Sequence, residues 1–187
     1  YNDELNATTF TSSEAISAFT TWTDFYTKHG IAKQIDMYNR FRAGTAPLGI
    51  ATYSLYTQLT QVAPEIQGRW TIAPIPGTMQ EDGTINRSIA GAGTGCSVVA
   101  PSSNKDQAWQ FLCWLTSAKV QLRYNNNVES ILGAVSRTLT ANVEAFNSYS
   151  WNADDLKVLN YQWSLVEELP EVPGGYYVSR AVDQAFW

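Results

Sequence analysis

The chain has 187 residues, 17 acidic against 12 basic, for a formal net charge of −5. That length suits one well-buried domain or one lobe of something larger, and 44% apolar with 16% charged residues describes a globular rather than a disordered chain. Thin, unclustered charge argues against a nucleic-acid or anionic-membrane surface, and one His with two Cys argues against a zinc site.

The first ten residues are polar. Thr11-Ser12-Ser13-Glu14 fits a capping box with Thr11 as the cap. Ala15, Ile16, Phe19, Trp22 and Tyr26 follow at helical spacing, and Gly30 closes the helix. A second helix is predicted over residues 33–43, turning Ile35, Tyr38 and Phe41 toward the same core, with Gly44 as its left-handed stop. Pro47-Leu48-Gly49-Ile50-Ala51 reads as a buried strand, broken by Thr52-Tyr53-Ser54. A helix carrying Leu55, Leu59 and Val62 begins at once and ends before Pro64. Open α/β sheets commonly bind ligands where a strand hands over to a helix. Here that point carries Thr52, Tyr53 and Tyr56, two of them rings with a polar tip.

Residues 70–74 read as a strand running into Pro76-Gly77, and Glu81-Asp82-Gly83 as a tight turn with a return strand over 84–89. A glycine-rich hinge follows, then an apolar strand over 96–100. Asn104 opens a helix whose apolar face is Ala108, Phe111, Leu112 and Leu115, with a kinked continuation through Val120 and Leu122. Asn125-Asn126-Asn127 marks a loop. Further helices are predicted over 141–146, 154–167 and 176–187. The whole reads as a helix-rich α/β arrangement with a short mixed sheet. No signal peptide and no spanning helix are read, and both ends look cut: the chain starts without Met, and Trp187 falls inside a helical pattern.

Cys96, in a predicted strand, and Cys113, on a predicted helix, read as buried thiols acting as small hydrophobes rather than as a disulfide. The run Gly91-Ala92-Gly93-Thr94-Gly95 precedes a strand and lacks a following Lys-Ser/Thr, so it is no phosphate loop. It is either a point where two backbones approach closely or a ligand-facing loop with free amides. Glu129, Glu167, Glu168 and Glu171 are the acidic candidates for catalysis; Glu129, in a loop among apolar residues, is the one to watch, and Glu167-Glu168 read as a solvated helix end. His29 sits one residue before a helix-ending Gly, a favourable place for a cation. No nucleophile elbow or Ser/His/Asp order appears. Tyr53 and Tyr56, then Tyr176-Tyr177 after Gly174-Gly175, are rings set at helix starts, a setting that suits sugar stacking as well as packing.

At these residues the chain resembles a known family. F-x-x-G-x-x-P-L-G-I-A-T-Y over 41–53 resembles the family 1 extracellular solute-binding proteins of ABC importers, sugar type, the group that includes maltose-binding protein. The W-x-x-x-P-x-P segment at 70–76, the glycine-rich stretch at 91–101 and N-K-x-x-A-W-x-F-L-x-W-L-T at 104–116 match in order. ESILGAVSR at 129–137 and PEVPGGYYVSR at 170–180 look like a Gram-positive branch of the family. Ser54 to Tyr56 stand where the family usually carries a Trp. The resemblance implies a type II periplasmic-binding-protein-like fold, of which residues 1–187 would be one lobe, the carboxyl-terminal one, with an amino-terminal lobe upstream. It implies a small-molecule solute, most often a sugar, ABC permease subunits as partners, no cofactor, and a cell-surface or periplasmic location. Carried over by position, Thr52, Tyr53 and Tyr56 would line the cleft, Gly91, Gly93 and Thr94 would offer backbone or hydroxyl contacts, and Tyr176, Tyr177 and Arg180 would face the solute from the last helix. Two alternatives stay open: a binding protein for a peptide or amino acid derivative, with Arg180 as a contact, and a glycoside-processing enzyme using Glu129 and a second carboxylate.

Overall fold

A computed structural model describes residues 1–2, 4–91 and 93–186; expectations that touch Asp3, Ala92 of the glycine run and Trp187 of the last helix lie outside the described residues. Two compact units result, Tyr1–Ile35 with Glu168–Trp187, and Asp36–Glu167.

In the first unit, α1 spans Ser13–Thr27. Its cap is Ser12, whose Oγ accepts from the Ala15 amide at 3.2 Å, so the cap falls one residue later than the box placed it. The helix ends as expected: Gly30 takes φ +66°, and the Ile31 amide reaches back to the Phe25 carbonyl at 2.9 Å. α8 spans Gly175–Phe186, one residue earlier at its start than expected, after Gly174 at φ +81°. The Phe186 ring packs 5.2 Å from Phe19 and 5.7 Å from Trp22, which ties α8 to α1.

The second unit opens with α2, Met37–Arg42. It starts four residues later than its apolar spacing predicts, because Asp36 caps it, Oδ1 accepting from the Asn39 amide at 3.1 Å. Gly44 is the left-handed stop, at φ +73°. α3 runs over Tyr53–Val62 and ends before Pro64 as expected. The segment between them is not a strand. Leu48 and Ile50 are 88% and 72% exposed, and nothing among the described residues pairs with the run. An apolar run becomes a strand only when a neighbouring backbone completes its hydrogen bonds. The same correction applies to 70–74 and 96–100. Near the former a side chain takes the place of a ladder: Gln162 Oε1 accepts from the Ile75 amide at 2.9 Å, while its Nε2 donates to the Arg87 carbonyl at 3.0 Å.

The tight turn is present, with β1 (Thr78–Met79) antiparallel to β2 (Ile85–Asn86) in the register Thr78↔Asn86. Gly83 holds φ +82°, and Thr84 donates both its amide and its hydroxyl to Asp82 Oδ1. β3 (Ile89–Ala90) pairs in parallel with β4 (Val166–Glu167). The expected mixed sheet is therefore two separate two-stranded pairings in a helix-rich α/β chain. The helix predicted to 167 stops at Trp163, since Glu167 belongs to β4; Glu167-Glu168 is not a helix end.

α4 (Lys105–Leu115) and α5 (Ala118–Leu132) are separate helices broken at Thr116-Ser117. The predicted loop at Asn125-Asn126-Asn127 lies inside α5, and Glu129 lies on that helix rather than in a loop. Three Asn residues favour a turn when their side chains serve the local backbone; Asn125 is buried and bonds instead to the Glu129 side chain one helical turn on and to the Thr138 amide beyond the helix. α6 (Val143–Asn147) and α7 (Ala153–Trp163) complete the unit, whose buried apolar residues are Leu59, Ala63, Ala145, Phe146 and Tyr149. Cys96 and Cys113 are free and exposed, not buried. Cys96 lies in a segment that forms no strand, and Cys113 follows the exposed Trp109 by four residues on the same side of α4. No helix among the described residues is long and apolar enough to cross a membrane.

Candidate functional site

The site grows from the first turn of α3. Thr52 ends the extended segment as the N-cap position, its Oγ1 2.7 Å from Ser54 Oγ. Tyr53 and Tyr56, three apart on the helix, lie on one side and stack at 5.7 Å and 24°. Trp151 meets Tyr53 edge-on at 5.8 Å and Tyr56 at 6.1 Å. Trp70 stands edge-on to Tyr56 at 5.7 Å and 78°. Trp151 is itself anchored, since its Nε1 donates to the Phe146 carbonyl at 2.7 Å and the two rings lie 4.8 Å apart. Four rings are thus fixed against one another before any solute is considered.

A polar network backs these rings. α5 ends at Gly133, φ +81°, and the short 3-10 turn Ala134–Ser136 folds the chain back. The reversal brings Arg137 to Glu129: Nε donates to Oε1 at 2.6 Å and Nη2 to Oε2 at 3.2 Å. Their side chains are only 10% and 17% exposed, so the pair is largely desolvated. Asn125 completes it, Nδ2 donating to Glu129 Oε1 at 2.7 Å while Oδ1 accepts from the Thr138 amide at 3.1 Å. The Arg137 guanidinium also covers Trp151, 4.8 Å from the ring centroid. Tyr56 Oη donates to Asp155 Oδ2 at 2.8 Å; Asp155 sits in the first turn of α7, capped by Asn152.

Electrostatics follow from these contacts. The hydrogen bonds from Arg137 hold the Glu129 carboxyl below its ordinary value against the opposing pull of burial. Burial pulls Arg137 down, and the hydrogen bonds and charge of Glu129 more than offset it, leaving the guanidinium raised. Burial pushes the Tyr53 phenol up to about 12, and burial followed by the bond to Asp155 raises Tyr56 as well. The Tyr53 and Tyr149 hydroxyls are buried without a hydrogen-bond partner among the described residues.

Beside this cluster, within the second unit, opens a cleft of about 400 Å³. Tyr56 and Trp70 supply its rings, Arg137, Asp154 and Asp155 its charges, and hydroxyls and amides from Thr60, Gln61, Gln67, Ser150 and Asn152 much of the remainder. Its volume lies in the range of small-molecule sites. Among the described residues no group of three or more His, Cys, Asp and Glu is placed to hold a metal ion.

Of the residues singled out from sequence, Tyr53, Tyr56 and Glu129 are brought together, the last through Arg137. Thr52 is exposed at the start of the same helix. Gly91 is where two backbones meet: its amide donates to the Glu167 carbonyl at 2.9 Å, and a Cβ there would fall 2.4 Å from Val166 Cγ1. Gly93 faces open space and Thr94 is exposed. Tyr176 and Tyr177, 70% and 74% exposed with rings 5.6 Å apart, belong with Arg180 to α8 of the other unit. Sequence reasoning passed over Trp70, Trp151, Asp155 and Arg137 as site residues. Only Arg137 had a local signal, the Gly four residues before it that turns the chain back toward Glu129.

A family model described as bacterial extracellular solute-binding protein matches residues 4–122, well over half of the chain and including the α3 start, the hairpin and all of α4. The chain belongs to the bacterial extracellular solute-binding protein family. Membership carries a solute-binding role in ABC transport, with a small-molecule solute and ABC permease partners, at the periplasm or cell surface; solute-binding proteins of this kind are normally not enzymes. No curated protein and no solved structure matches the chain. Within this solute-binding protein the matched span supplies Tyr53, Tyr56 and Trp70, while Arg137, Trp151 and Asp155 come from beyond it.

Proposed function

We propose that this solute-binding protein captures a carbohydrate or oligosaccharide for its permease, and that residues 1–187 form most of the carboxyl-terminal lobe of a two-lobe, maltose-binding-protein-like molecule displayed at the cell surface or in the periplasm. One observation carries the reading: Tyr56 and Trp70 stand as rings on the wall of a cleft otherwise lined largely by hydroxyls, amides and carboxylates. Sugars present an apolar C–H face and a rim of hydroxyls, and a wall of that composition answers both. In this reading Thr52, Tyr53 and Tyr56 front the solute, and Gly91, Gly93 and Thr94 border it. Glu129 acts at one remove, through Arg137. Closure of the lobes on the solute is a population shift driven by better contacts in the closed state.

The test is calorimetric titration of the intact protein with maltotriose, cellotriose and xylotriose, beside tripeptides of matched size. Binding of one of these trisaccharides, weakened by Tyr56→Ala or Trp70→Ala, supports the reading; binding of peptides alone overturns it.

The peptide reading has one observation in its favour: the cleft wall carries three charged side chains against two rings. Pairing of Arg137 with Glu129 reduces that advantage. The glycosidase reading asks for a general acid of raised pKa, whereas Arg137 pulls Glu129 the other way.

A further inference from the structure

We propose that the cleft sorts solutes by charge, admitting neutral polyhydroxylated molecules and rejecting carboxylate-bearing ones, because Glu129 cancels Arg137 and leaves Asp155 as the unneutralised charge on the wall. The inference rests on the carbohydrate reading and narrows it to neutral sugars.

Arg137 is the only cation lining the cleft among the described residues. Both oxygens of Glu129 are engaged with it, at 2.6 and 3.2 Å, in a pair whose side chains are 10% and 17% exposed. A guanidinium so bound, its charge matched by the Glu129 carboxylate, brings no net charge to an incoming solute. Of the two lining carboxylates, Asp154 is solvated and partnered by Lys157 at 3.3 Å. Asp155 has no ion-pair partner among the described residues; its side chain takes a single hydrogen bond, from the neutral Tyr56 hydroxyl. The helix start beneath it does not redress the balance, since the Asp154 and Asp155 amides are already given to Asn152 Oδ1 at 2.9 and 3.3 Å. The remaining lone pairs of Asp155 suit a pair of donating sugar hydroxyls. A solute carboxylate in the same place brings a like charge and no donor, and should bind about tenfold or more weakly.

The experiment compares the intact protein with Asp155→Asn and Glu129→Gln. Calorimetry is run on maltotriose, cellotriose and xylotriose, and on the C6-oxidised uronate forms of maltotriose and cellotriose. Expected are binding of a neutral maltotriose or cellotriose, at least about tenfold weaker binding of its uronate, and a gap that narrows in D155N and at raised salt. E129Q, which frees the Arg137 charge, should narrow the gap from the other side; if it fails to fold, D155N still decides. A uronate that binds as tightly as its neutral form overturns the charge sorting and leaves the carbohydrate reading standing. A gap unchanged in D155N overturns the assignment to Asp155. Xylotriose bound alone overturns the inference as well, since a cleft that excludes C6-bearing sugars selects by shape. Failure of every sugar while peptides bind overturns both readings together.

Discussion

Arg137 stands over Trp151, its guanidinium carbon 4.8 Å from the ring centroid, while its Nε holds Glu129 at 2.6 Å. One side chain therefore joins the end of α5 to the ring cluster that borders the cleft. The joint depends on Gly133, whose positive φ turns the chain so that two residues eight apart in sequence meet.

Removing one partner of the pair should cost far more than removing both. Arg137→Met leaves the Glu129 carboxylate largely buried and unpaired, and a loss of about 2–4 kcal/mol is expected. The double variant Glu129→Leu with Arg137→Met should recover at least half of that loss. Urea unfolding of the two singles and the double gives the coupling directly, and additive losses would show that the pair is not coupled.

The two tyrosines should respond in opposite ways to loss of the hydroxyl. Tyr53→Phe removes a buried oxygen that has no partner among the described residues, so stability should be unchanged or slightly higher. Tyr56→Phe breaks the 2.8 Å bond to Asp155 and should cost about 1–2 kcal/mol. Denaturation midpoints of the two variants side by side settle the comparison.

Stability should fall on both sides of neutrality for identifiable reasons. Glu129 is lowered from 4.5, so the unfolded chain takes up protons first; its contribution is present above about pH 4.5 and is lost as pH falls below that. Tyr53 and Tyr56 are raised from 10.0, so above pH 10 the unfolded chain ionises first and stability declines as pH rises toward about 12. Melting temperature against pH should show both shoulders. The alkaline shoulder should shrink in Tyr56→Phe, and the acid one in the Glu129→Leu, Arg137→Met double variant.

The glycine run should divide by position. Gly91→Ala sets a methyl 2.4 Å from Val166 Cγ1, and because a β-branched side chain has little room to rotate, the β3–β4 pairing must shift at a cost of about 1–3 kcal/mol. Gly93→Ala meets nothing within 4 Å and should be tolerated. Thermal melts of both, with Gly91→Ala repeated in a Val166→Ala background that relieves the clash, would separate steric from conformational causes.

Local chemistry was enough to place the helix stops at Gly30 and Gly44, the α3 helix before Pro64, the turn at Gly83 and the family motifs over 41–116, because each is decided within a few residues by backbone freedom, capping or apolar spacing. It also pointed to Tyr53 and Tyr56 at the start of α3, whereas Glu129 was singled out as a loop residue and lies on α5. Only tertiary structure decided that Leu48 and Ile50 lie exposed outside any strand, that Asn125 is buried in α5, and that Trp70, Trp151, Arg137 and Asp155 gather around the α3 tyrosines. A strand exists only where a second backbone completes its hydrogen bonds, and a charge is cancelled only by a partner the fold brings within reach. Neither can be read from a residue and its immediate neighbours.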